Sequence, residues 1–185
     1  MKRYQTFFFA ITIFVTSYIA HPQGNEAPVK TIPSLDVPRY MGTWYEIAKF
    51  PNWFQKKCVA NTKAEYSIRA DGNLKVLNSC KTASGEITDA EGTAKQVGAK
   101  DSPKLLVRFA PAWLSFLPMV WGDYWVIELD PQYQVAAVSD PKREYLWILS
   151  RTPQLDKKVY EELLQRLQSQ QFDVRKLELT TQTSN

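Results

Sequence analysis

The chain has 185 residues, 23 Lys and Arg against 19 Asp and Glu, and two cysteines, enough for one domain with a sizeable core. Without Lys2 and Arg3 the balance is 21 basic against 19 acidic residues, and no basic stripe remains to bind nucleic acid. The sole histidine, His21, lies near the N-terminus, which excludes His-based acid–base catalysis and His-ligated metal or haem in a folded interior.

Residues 1–20 read as a cleaved secretory signal. Lys2 and Arg3 give a basic start, Phe7 to Ile19 an apolar stretch broken by Thr12, Thr16 and Ser17, and Ala20 a small residue for cleavage within 20–27. The stretch is shorter than the roughly 20 apolar residues that span a bilayer. No cysteine lies near this end, so the expectation is an exported chain without an N-terminal lipid anchor, in the periplasm, at the outer membrane or secreted. Residues 21–36, with Pro22, Gly24, Pro28 and Pro33, predict an extended, mobile leader. The domain proper is expected at 37–180, with a flexible tail at 181–185.

Short alternating segments then predict antiparallel strands at 43–50, 58–69, 73–82, 87–97, 104–110, 123–130, 134–139 and 145–151. Most are separated by turn residues: Pro51-Asn52, Asp71-Gly72, Ser84-Gly85, Asp101-Ser102-Pro103, Asp130-Pro131 and Asp140-Pro141. Eight strands in meander order suit a closed barrel holding one small ligand. Cys58 and Cys80 flank the hairpin turned at Ala70-Asp71-Gly72-Asn73. In an exported chain this pair reads as a disulfide, worth about 3 kcal/mol for a loop of this length and needing a bulge to fit the hairpin. The other reading is a reactive free thiol.

After Arg151, Thr152 is expected to cap a helix with Pro153 in its first turn. Leu155, Val159, Tyr160, Leu163, Leu164 and Leu167 recur at helical spacing to about Gln170, one apolar stripe that packs on the outside of the sheet. Trp44, early in the strands, and Arg151, at their end, meet only if the sheet closes. The guanidinium then lies on the indole, worth about 0.5–2 kcal/mol, over a plugged floor that includes Gly42.

Gly42-Thr43-Trp44-Tyr45-Glu46, Val126-Ile127-Glu128-Leu129-Asp130-Pro131-Gln132-Tyr133, and Tyr145 to Arg151 followed by Thr152-Pro153 resemble, in order, the three conserved blocks of the lipocalins. The resemblance covers about residues 36–178. In particular it points to the bacterial outer-membrane lipocalins and their apolipoprotein D-like and plant temperature-induced relatives. It implies an all-β, eight-stranded antiparallel up-and-down barrel, closed at one end, with a C-terminal helix outside and a cavity for hydrophobic molecules. Several bacterial relatives are tethered through an N-terminal Cys, which this chain lacks.

With the floor fixed, alternation sends Glu46, Ala48 and Phe50 inward from Trp44, and Leu149, Trp147 and Tyr145 inward from Arg151. The same alternation places Ala60, Thr62, Ala64 and Tyr66 opposite Leu74, Val76, Asn78 and Cys80. Ala90, Gly92 and Ala94 leave space, and Leu105, Val107, Phe109, Tyr124 and Val126 complete the lining. The expected ligand contacts are Glu46, Ala48, Tyr66, Val76, Asn78, Val107, Phe109, Tyr124, Val126, Tyr145 and Trp147. Mostly apolar walls with a few polar groups suit a fatty acid or phospholipid-type amphiphile, each buried CH₂ contributing about 0.8 kcal/mol. Burial should raise the pKa of Glu46.

The stretch from Phe109 to Trp121 carries no charge. It is expected to be a lid over the cavity or a membrane-touching tip, with Trp113, Leu114, Phe116, Leu117 and Trp121 in contact with lipid. Plant relatives carry a similar loop. No cofactor or metal is called for, and the expected state is a monomer or weak homodimer with peripheral membrane contact. The expectation is a carrier, with a lipid-modifying enzyme built on a cavity cysteine as the alternative.

Overall fold

The computed structural model describes residues 27–183; the expected signal sequence lies outside them. A short helix α1 (Val37–Tyr40) precedes β1 (Gly42–Lys49), β2 (Cys58–Ile68), β3 (Leu74–Thr82), β4 (Ile87–Gln96), β5 (Lys104–Arg108), β6 (Gly122–Leu129), β7 (Val135–Ser139) and β8 (Leu146–Ser150). Helix α2 (Lys157–Ser169) and a two-residue strand β9 (Glu178–Leu179) follow. Each strand pairs antiparallel with the next, and β1 pairs with both β8 and β2, so the sheet closes into the up-and-down barrel. Seven of the eight expected strands match within a residue at each end. β5 stops at Arg108, two residues short, and pairs with β4 only over Thr93–Gln96.

Two cores share the wall. The inner one holds Trp44, Ala64, Tyr66, Leu74, Val76, Ala94, Leu105, Val126, Ala136, Val138 and Leu149. The outer one lies under α2, where Leu163 and Leu167 meet Ala48, Phe50, Ile127, Ala137, Leu146 and Ile148. A bulge in β1 between Glu46 and Ala48 decides the division. One extra residue reverses the alternation, so Trp44 and Glu46 face in while Ala48 and Phe50 face out. The inward placement of Ala48 and Phe50 is therefore corrected, and Phe50 packs 6.5 Å from Phe172.

The start of α2 is also corrected. Asp156 caps it, accepting from the amides of Lys158 and Val159 at 2.9 and 3.2 Å, and its charge suits the positive end of the helix. Thr152 instead donates to the Gln154 carbonyl in a local turn.

The expected leader is extended but anchored from Val29 onward. Val29 is buried beneath α2, the Ile32 and Leu35 amides donate to the carbonyls of Val126 and Asp101, and Leu35 enters the inner core at the floor. The expected tail is likewise fixed through Thr183. β9 pairs with β1 at Ala48 and Lys49, above the point where β2 leaves it. The Thr180 amide donates to Ile47, and the Asn61 amide to Thr181.

Candidate ligand-binding site

The floor forms around Arg151. Its guanidinium lies 4.0 Å from the Trp44 ring centroid and donates to the carbonyls of Thr43, Arg39 and Tyr133 at 2.9, 2.9 and 3.2 Å. Three chain segments are thereby tied to one side chain. The Trp44 indole N–H donates to the Tyr40 carbonyl at 2.8 Å. Gly42, at φ +93°, lets the chain pass so close to Arg151 that a Cβ there would sit 3.3 Å from Nη1. No other residue adopts that backbone without strain.

Above the floor, three tyrosines fill the lower barrel. The Tyr124 hydroxyl bonds those of Tyr40 and Tyr66 at 2.9 and 3.0 Å. Burial raises all three: Tyr66 is pushed up to about 12, and Tyr40 and Tyr124 are well above their ordinary value. The trio stays neutral, a set of hydroxyls that can donate or accept but cannot hold a charge.

The upper half is different. Register places Asn78 level with Ala64 and Ala90, and Val76 level with Tyr66 and Gly92, on the inner face. The Phe109 ring rests on Gly92, where a Cβ would come within 2.8 Å of it. Ala90 is exposed and Phe109 is 46 % exposed, so the barrel is open to solvent at this height. Val107 and Tyr124 pack against the inner core below.

One side of the mouth is closed by a polar knot. Glu46 is 3 % exposed; its carboxylate accepts from Gln55 Nε2 at 2.6 Å and from the Thr180 hydroxyl. Gln55 in turn accepts from Trp147 Nε1 at 3.0 Å. Burial is the leading influence on Glu46 and raises its pKa against these hydrogen bonds. Tyr145 stacks on Trp147 at 5.7 Å, and Phe54 contacts both.

Of the expected contacts, Glu46, Tyr66, Val76, Asn78, Val107, Phe109, Tyr124, Val126 and Trp147 lie on the inner face, and Tyr145 stands at its rim. Ala48 does not. Gln55, Phe54 and Thr180 were not expected at the mouth, since nothing local marks a loop or tail residue that folds back onto a strand. Two surface clefts lie elsewhere. One of about 360 Å³ sits outside the mouth between Lys49, Trp53 and Glu178, and one of about 610 Å³ lies at the floor beside Leu35 and Ile68.

The segment between β5 and β6 forms two short 3₁₀ turns, Ala112–Leu114 and Pro118–Val120. It exposes Trp113, Phe116 and Met119 at 73, 74 and 86 %. Leu114, Leu117 and Trp121 are half-buried. Met119 was not among the expected lipid contacts, because the irregular stretch around Pro118 gave no periodicity to read. Cys58 and Cys80 form a disulfide, with Cα atoms 5.5 Å apart, and register shifts in β2 beside Cys58 supply the bulge the hairpin needed.

A closed eight-stranded up-and-down barrel with an Arg–Trp floor and an outer C-terminal helix is the lipocalin frame. The chain belongs to the lipocalin-like family: residues 35–182 match the family model described as a lipocalin-like domain. It is 42 % identical over 157 residues to temperature-induced lipocalin-1 of Arabidopsis thaliana, covering 84 % of this chain and 83 % of that protein. It is 40 % identical over 149 residues to outer membrane lipoprotein Blc of Escherichia coli K12, covering 80 % of each. It is 34 % identical over 156 residues to apolipoprotein D of Macaca fascicularis, covering 80 and 78 %. Among solved structures, insecticyanin of the tobacco hornworm Manduca sexta superposes with a TM-score of 0.66 at 22 % identity, covering 84 and 85 %, which shows the shared fold. Family membership supports the binding of small hydrophobic ligands.

Proposed function

We propose that this protein carries a single-chain amphiphile, a fatty acid or lysophospholipid, in the upper half of the barrel and exchanges it at a membrane surface within an oxidising compartment. The observation that carries the reading is where most of the large exposed apolar side chains lie, with Ile68 and Val97 at the floor end and Val159 on α2 as exceptions. Trp53, Phe54, Ile87, Phe109, Trp113, Phe116 and Met119 are all exposed, and all lie at strand ends or loops on the side opposite the Trp44–Arg151 floor. An apolar rim around the open end of the barrel fits a mouth that meets lipid. The small, exposed Ala90 leaves room for a chain above the tyrosines, whereas the space at Gly92 is taken by the Phe109 ring. The disulfide is consistent with export to the periplasm, outer membrane or cell exterior.

The enzymatic alternative needs a cavity thiol. Both cysteines of the chain are joined to each other, so that reading lacks its nucleophile. Mass spectrometry of small molecules co-purifying with the native protein tests the carrier. Fatty acids or lysophospholipids at near-stoichiometric amounts are expected; polar metabolites alone would refute it.

A further inference from the structure

On the outer wall just beneath the apolar loop, Trp121 is flanked by two cations. Lys95 Nζ lies 4.3 Å and Arg108 Cζ 5.2 Å from its ring centroid. The Trp121 indole N–H donates to the Ser115 carbonyl at 2.8 Å, so the ring ties the loop tip to this wall. Arg108 is the unusual member. It is only 7 % exposed. Its Nη1 donates to the Ala110 carbonyl at 2.8 Å, and its buried Nε has no partner. Among the described residues, no carboxylate forms an ion pair with Lys95 or Arg108. Asp123 stands on the same wall, across Leu106, and pairs with neither.

A buried guanidinium without a counter-charge is costly, and an orphan buried N–H calls for a partner. We propose that Lys95, Arg108 and Trp121 form a binding site for the phosphate of an anionic phospholipid in the bilayer. The proposal rests on the membrane-surface reading above and adds the headgroup chemistry to it. Arg and Lys supply charge-assisted donors for phosphate oxygens. The tip residues Trp113, Phe116 and Met119 then enter the hydrocarbon boundary, Trp121 lies at headgroup level where such rings prefer to sit, and the two cations reach the phosphates. Both sets of contacts form together, because the Trp121–Ser115 bond joins them.

Vesicle flotation of the full protein tests this, using phosphatidylcholine alone and phosphatidylcholine mixed with phosphatidylglycerol. The wild type should favour the anionic vesicles. The Lys95→Gln/Arg108→Gln variant should lose about fivefold in that binding for each charge removed, with its binding to phosphatidylcholine unchanged. If Arg108→Gln disturbs the fold, seen in near-ultraviolet circular dichroism, Lys95→Gln alone should still show the fivefold loss and Arg108→Lys should keep most of the preference. A wild type without preference, or variants that retain it, would overturn the site while leaving membrane docking standing. Displacement by inorganic phosphate at constant ionic strength would also overturn it, by showing a site for free phosphate. Binding to neither vesicle, with the Trp113→Ser/Phe116→Ser/Met119→Ser variant behaving as wild type, would instead remove the membrane reading itself.

Discussion

Glu46 joins three parts of the molecule through one carboxylate: β1, which carries it, the loop that presents Gln55, and the C-terminal tail that presents Thr180. Its pKa is raised in the fold, first by burial, so the folded protein holds a proton that the unfolded chain releases. Stability then falls as pH rises from the ordinary glutamate range through the raised value, and the loss persists above it. Glu46→Gln should remove that slope: its melting temperature relative to wild type should be higher at pH 8 than at pH 4.5. Parallel profiles across this range would show that the carboxyl is not raised. The placement of Glu46 was legible from its two-residue spacing after Trp44. That of Ala48 was not, because the bulge between them involves ordinary residues whose extra position is set by pairing with β8, not by local sequence.

At the scale of elements, the C-terminal extension matters more than its length suggests. Besides the Thr180 and Asn61 bonds, Gln182 Nε2 donates to the carbonyls of both Glu46 and Thr62 at 2.8 Å, and the Thr183 amide to Asn61 Oδ1 at 2.7 Å. Lys49 pairs with Glu178 at 2.9 Å, a half-exposed contact of little weight. At about 0.5–1.5 kcal/mol per hydrogen bond, the bonds of residues 180–183 mean that a chain ending at Leu177 should lose at least about 3 kcal/mol in urea unfolding. A loss below about 0.5 kcal/mol would show the tail to be ornamental. Sequence reasoning found α2 through its apolar stripe but took Thr152 as its cap, where the structure has Asp156. Both are good capping residues, and only the path of the chain after Arg151 chooses between them. The tail, polar and without periodicity, gave no sign that its partners were strand carbonyls left open where β1 and β2 part.

For the whole molecule, the strand count, turn positions and floor were readable because each has a local chemical cause: alternation, turn residues, and one Trp and one Arg at opposite ends of the strands. The docking of the N-terminal segment was less so. Val29 and Leu35 sit among prolines, and their burial depends on the groove beneath α2 and on the floor they meet there, neither of which exists until the barrel has formed. The disulfide holds β2 to β3 across a separation of 22 residues. Replacing both cysteines by Ser should remove about 3 kcal/mol and lower the melting temperature by roughly 6–12 °C for a domain of this size. A change below about 2 °C in calorimetry would mean that hairpin pairing already confines the unfolded chain.

The seam between β1 and β2 also fixes an order of events. These strands pair directly over Gly42–Tyr45 and Lys63–Tyr66, and above that the gap is filled by residues near the end of the chain. Until residues 178–183 dock, the wall has a slit beside Glu46. The barrel can curl through its other pairings first, but its wall is finished only when that segment takes its place.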